Sequence, residues 1–170
     1  MRAALPNLAF GGESGLEVIC EEAFYPSHSR SDSQYTQIVD ISVICQVPQI
    51  KMLVRHPTLP ASELYEHIAP LLNSKDYSVT YSFSGYLEIA LGGVHKGEAL
   101  ATLCAQLGIA AHEVVAFGDM PNDLPLLQWA GLGVAVANAH PMVLQAADAV
   151  TLSNAEDGVA HMLEQLMAKV

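Results

Sequence analysis

The stretch Val114-Val115-Ala116-Phe117-Gly118-Asp119-Met120-Pro121-Asn122-Asp123 decides how the 170-residue chain folds. Four consecutive apolar residues form a run of the kind buried on both faces of a parallel sheet. The run enters a polar loop, and a helix is expected over Leu124–Ala130, ended by Gly131. In open α/β sheets ligands bind beyond the carboxyl ends of the strands, so this loop lies where chemistry is expected.

Within the loop, Gly118 permits a close approach and Pro121 stiffens the chain while removing one donor. Asp119 and Asp123 stand four residues apart, and a turn can bring both carboxylates towards one point. Paired carboxylates suit Mg²⁺, which takes oxygen ligands and keeps waters and phosphate oxygens in its shell. Asn122 offers an amide to a phosphate oxygen or to a neighbouring carboxylate. Spacing alone leaves open whether Asp119 or Asn122 merely caps the next helix. Lys96, one of four lysines, opens a helix directly after Gly92-Gly93. A cation is disfavoured at that end of a helix, so it either points into water or builds an anion site with the helix terminus.

Outward from the loop, β/α alternation runs from Gly92 to the last residues. Helices are expected at Lys96–Leu107 (stopped by Gly108), Pro141–Ala147 and Asp157–Met167, the last with Val159, Met162, Leu163 and Leu166 in one stripe. Strands are expected at Gly133–Ala137 and Ala149–Leu152, giving a parallel sheet. Asn138 follows the first of these, and either forms a turn or faces the same crevice as the acidic loop. Asp148, Asn154 and Asp157 read as turn and cap residues, and His95 and His140 as surface or packing residues. From Gly12 to Leu91 the texture is strand-rich with one helix. Strands are expected at Val39–Val47, Ile50–Arg55, Tyr77–Phe83 and Tyr86–Leu91, the last two joined around Ser84-Gly85. The helix fits Ala61–Asn73, with Ser62 as its cap. This half reads as a small α+β unit, and Ser27–Ser33 as a polar connector.

Composition narrows the function. Hydrophobic residues make up 51% and charged ones 15%, so a packed core is available. With 18 acidic against 7 basic residues, the net charge of −11 disfavours nucleic acid and anionic membranes as partners. Cys20, Cys45 and Cys104 lack metal spacing and read as buried hydrophobes in a reducing compartment. No apolar run spans a bilayer, and Met1–Gly12 has no signal-peptide order, so a cytoplasmic protein is expected.

Leu87-Glu88-Ile89, Val94-His95-Lys96-Gly97, the Gly118–Asp123 loop, Gly133–Ala139 and Ala147–Thr151 with Asn154 and Asp157-Gly158-Val159 together resemble the haloacid dehalogenase-like hydrolases, Cof-type sugar-phosphate phosphatases in particular. The resemblance implies an α/β fold: a partial Rossmann-like parallel core over residues 92–170, with a smaller α+β cap over 1–91. By position, Lys96 resembles the phosphate-stabilising lysine, Asp119 the Mg²⁺ carboxylate, Asn122 the substrate-contacting amide and Asp123 the second acid of the metal site. The implied reaction is Mg²⁺-dependent hydrolysis of a small phosphate monoester through an aspartyl-phosphate. The family's Asp-x-Asp nucleophile motif has no counterpart, because no two of the seven aspartates are separated by one residue. The chain is therefore expected to be the C-terminal part of a longer hydrolase, with negligible turnover alone. A non-catalytic module that self-associates through an exposed sheet edge is the alternative.

Overall fold

The computed structural model describes residues 1–15, 17–25 and 36–168; the polar connector Ser27–Ser33 lies outside them. The chain divides into two compact units, Met1–Gly93 and Val94–Val170.

In the first unit, strands β1 (Ala9–Glu13), β2 (Val18–Cys20) and β3 (Thr36–Ile38) precede a short helix α1 (Ile41–Ile44). Strand β4 (Lys51–Arg55), helix α2 (Ala61–Ile68) and strands β5 (Tyr77–Thr80) and β6 (Leu87–Leu91) follow. The strands form one sheet in the order β3-β2-β1-β4-β6-β5, antiparallel except between β2 and β3. The register sets Met52 opposite Ile89 and Val54 opposite both Phe10 and Leu87, so these side chains share a face. Helix α2 packs near β6, with Leu64 and Ile68 fully buried. Each such burial contributes about 1.5–3 kcal/mol. The opposite face gathers Ala9, Cys20, Phe24 and Leu53. There Lys51 bridges Glu88 at 2.9 Å and Glu13 at 3.4 Å across three strands.

Several expectations for this unit are corrected. Val39–Val47 is not a strand: Asp40 accepts hydrogen bonds from the Ser42 N–H at 2.9 Å and Ser42 Oγ at 2.6 Å, which starts α1 instead. Local capping outweighs the β-branched run, of which Ile44 is the one buried side chain in the helix. Helix α2 begins after Pro60 with no side-chain cap, so Ser62 does not cap it. Cys45 is exposed, whereas Cys20 and Cys104 are buried. Strand β1 escaped the sequence reading because Gly11 and Gly12 weaken its propensity; pairing on both edges supplies what composition lacks.

The second unit follows the β/α alternation closely. Helix α3 (Lys96–Leu107), strand β7 (Val115–Gly118), helix α4 (Leu124–Trp129) and strand β8 (Leu132–Val136) lead to helix α5 (Pro141–Ala146), strand β9 (Ala149–Thr151) and helix α6 (Gly158–Met167). The sheet is parallel, in the order β7-β8-β9. Its core is Ala116, Leu127, Ala135, Val136, Ala139 and Val143. Strand β7 is less enclosed than its apolar run suggests, since it forms one edge and Val115 stays 36% exposed. The α6 stripe is likewise half open, with Val159 and Leu163 exposed. Gly108 ends α3 in the left-handed conformation at φ 70°. Among the described residues no helix is long and apolar enough to cross a membrane.

Helix α3 lies close against α4 because Gly97 has no side chain. A Cβ there would sit 2.4 Å from the Pro125 carbonyl oxygen, a backbone atom that cannot swing aside. Gly97→Ala is expected to cost about 1–3 kcal/mol by overpacking, measured as a lower thermal midpoint for unfolding of this unit, whereas Ala99→Gly on the exposed face of α3 costs about 1 kcal/mol or less.

Candidate functional site

The loop after β7 is built around Asp123. The Pro121–Asp123 turn is a single 3₁₀ turn, and it carries the Asp123 side chain back beneath the start of the loop. Asp123 Oδ2 accepts from the Asp119 N–H at 3.0 Å and the Met120 N–H at 3.2 Å. Gly118 makes this possible, because a Cβ there would lie 2.6 Å from Asp123 Cβ. From α3, Lys96 Nζ donates to Asp123 Oδ1. His95 caps α3, its Nδ1 accepting from the Glu98 N–H at 3.1 Å. Lys96, the first residue of α3, thus meets a carboxylate. Lys96 is an exposed residue whose ammonium is paired with Asp123.

The two acids occupy different environments. Burial alone would push the Asp123 carboxyl up, but the Lys96 ammonium and the two backbone N–H groups outweigh it and hold its pKa below the usual carboxylate range. Asp119 is pushed the other way, first by burial of its carboxyl and then by the adjacent negative charge of Asp123. Both oxygens of Asp123 already accept hydrogen bonds, while Asp119 is an exposed residue at the mouth of the loop. Asn122 Oδ1 is buried and finds no hydrogen-bond partner among the described residues. Neither Asp119 nor Asn122 caps α4 with its side chain, since the residue at that position is Asp123 and its carboxylate turns back to the loop.

These donors fit a hard divalent cation in kind. Asp119 offers a carboxylate beside that of Asp123, Asn122 an orphaned amide oxygen and Asp123 a fixed anion, all oxygen ligands of the class Mg²⁺ selects. Among the described residues no group of three or more His, Cys, Asp or Glu side chains comes together as a metal shell.

The remaining sequence candidates divide by position. Asn138 stands after β8, its Oδ1 accepting from the Asn154 N–H at 3.0 Å. Asp148 Oδ2 accepts from the Gly133 N–H at 2.8 Å, at the end of β8 away from the loop. Asp157 occupies the left-handed region at φ 54° ahead of α6. His140 caps α5, and its backbone N–H donates to the Asp119 carbonyl at 2.7 Å. That last contact is made by main-chain atoms, so no residue type in the sequence announces it.

A family model for haloacid dehalogenase-like hydrolases matches residues 17–163. The chain belongs to that family, in its Cof-type branch. It is 41% identical over 103 residues to the phosphatase YwpJ of Bacillus subtilis, covering 61% of this chain and 34% of that protein. Among solved structures, its fold resembles the subclass IIB sugar phosphatase BT4131 with a TM-score of 0.78 at 18% identity, covering 94% of this chain and 61% of that one. It also resembles SMU.1108c of Streptococcus mutans UA159, with a TM-score of 0.79 at 22% identity, covering 98% of this chain and 64% of that one. The chain spans 34–40% of the length of the first curated relatives it matches.

The opposed shifts of the two acids have opposite consequences for pH. Stability from Asp123 is present above the ordinary carboxylate value of roughly 3.9 and is lost as pH falls through its lower folded value. For Asp119 the sign reverses: its contribution is present below roughly 3.9 and lost as pH rises through its raised folded value. Carboxyl NMR titration is expected to find Asp119 above and Asp123 below that value, with Lys96→Met moving Asp123 upward. Equal values for both acids would contradict the assignment.

Proposed function

We propose that the chain supplies the charge-stabilising half of a Mg²⁺-dependent phosphatase site for small phosphate monoesters such as sugar phosphates. The observation that carries this reading is the meeting of Lys96, from the start of α3, with the Asp119–Asp123 loop at the carboxyl end of β7. The family membership and the phosphatase names of its relatives support the same class of chemistry. In this reading the unit Met1–Gly93 serves as the cap that admits the substrate.

Each residue has a separable task. Lys96 is a compact positive charge for phosphoryl oxygens, and its bond to Asp123 fixes its direction. Asp119 is the residue that would hold Mg²⁺, with Asp123 supporting it from below. Asn122 presents its amide to a phosphate oxygen, its own buried oxygen having no hydrogen-bond partner among the described residues. When bound, Mg²⁺ would neutralise charge on the transferring phosphoryl group.

Magnitudes set what these groups achieve by themselves. Phosphate-monoester hydrolysis requires acceleration of up to about 10²¹-fold, whereas one electrostatic donor contributes about 10²–10³-fold. A nucleophile at the family's Asp-x-Asp position has no counterpart in these residues. Binding without turnover is therefore the expectation for the chain alone.

A second reading, self-association through the edge of β7, is favoured by the position of β7 at the edge of the described sheet and by the exposed Val115 on it. Gel filtration distinguishes it, since a stable oligomer indifferent to Mg²⁺ would support that reading.

The purified chain is expected to show negligible Mg²⁺-dependent hydrolysis of p-nitrophenyl phosphate. Inorganic phosphate added with Mg²⁺ should nevertheless shift the amide resonances of Lys96, Asp119 and Asn122, and Asp119→Ala should abolish the shifts. Turnover that needs Mg²⁺ and disappears in Asp119→Ala would refute the nucleophile argument. Absence of any shift in the wild-type chain would refute the site.

A further inference from the structure

The residues between β8 and α5 form a strap across the carboxyl ends of the strands. At one end, Asn138 Oδ1 accepts from the Asn154 N–H at 3.0 Å, beside a longer 3.3 Å bond from the Ala137 N–H to the Leu152 carbonyl. In the middle, Ala139 is 8% exposed and its N–H returns to Val136 O at 2.9 Å. At the other end the His140 N–H donates to the Asp119 carbonyl at 2.7 Å. The His140 carbonyl accepts from Val143 at 2.8 Å and Leu144 at 3.1 Å, which ties this end to α5.

Asp119 is consequently held on both sides of its Cα. Its N–H is fixed by Asp123 Oδ2 at 3.0 Å and its C=O by the strap at 2.7 Å. Fixing both peptide planes fixes the direction in which the carboxylate leaves the backbone. A ligand carboxylate held this way loses less freedom on binding a cation, and groups that orient ligands influence affinity without touching the ion.

We infer that Asn138 is a positioning residue for Asp119, acting through the strap and His140 to orient the carboxylate that would take Mg²⁺. The inference rests on the function proposed above. Asn138 is an exposed side chain outside the core, so truncating it removes one acceptor without opening a cavity. Its amide oxygen is a side-chain link from the strap to the β9–α6 connection.

The test uses the full chain, with Mg²⁺ alone as the probe, followed by amide NMR and site-resolved hydrogen exchange. Asn138→Ala is expected to raise the Mg²⁺ midpoint about 10-fold, as outer-shell losses do. It should also speed exchange of the His140 and Asn154 N–H groups while leaving the β8 amides unchanged. Asn138→Asp keeps Oδ1 and is expected to restore slow exchange at both positions. A wild-type Mg²⁺ midpoint in Asn138→Ala would overturn the inference while leaving the proposed site standing. Exchange accelerated evenly across the unit, or unrestored in Asn138→Asp, would also overturn it, because either result means general loosening. A wild-type chain with no saturable Mg²⁺ response would overturn the inference and the proposed function together.

Discussion

The hydrogen-bonded ion pair between Lys96 and Asp123 is the constraint on which the rest of the site depends. Asp123 is 5% exposed, and an isolated carboxylate in that position would be costly to ionise. It stays charged because three donors converge on it: the ammonium from α3 and the backbone N–H groups of Asp119 and Met120. The same bonds that stabilise the buried charge determine the path of the loop. Removing the cation would therefore affect the shape of the site as well as its electrostatics.

The pair in turn requires two close approaches that only small residues allow. Gly118 lets the Asp123 side chain fold back over the end of β7, and Gly97 lets α3 lie against the Pro125 backbone. These positions couple packing to electrostatics. The helix carrying the cation and the loop carrying the anion reach each other because neither contact has a side chain in between. The unfavourable placement of a lysine at a helix start is offset by the carboxylate it meets.

The second unit was largely readable from sequence because its signals are local and agree with one another. Apolar runs end in glycine or polar loops, Gly108 stops α3, and the acidic loop follows its strand directly. Lys96, Asp119, Asn122 and Asp123 stand out by residue type and place, and the structure adds that the two acids are shifted in opposite directions by their surroundings. The strap could not be found this way, since the His140-to-Asp119 bond joins two backbone groups. In the first unit, long-range pairing decided matters that composition obscured. Strand β1 carries two glycines yet is paired on both edges, and the Val39–Val47 run yields to a helix started by Asp40.

The central claim is that Lys96, Asp119, Asn122 and Asp123 belong to one site for a hard cation and a phosphoryl group. Paramagnetic broadening by Mn²⁺, an oxygen-seeking substitute for Mg²⁺, tests it most directly. At substoichiometric Mn²⁺ the amides of Asp119, Met120, Asn122 and Asp123 should vanish first, with Lys96 and His140 close behind. Broadening that begins instead at the Glu13, Lys51 and Glu88 cluster of the first unit, or spreads evenly over the acidic surface, would contradict it.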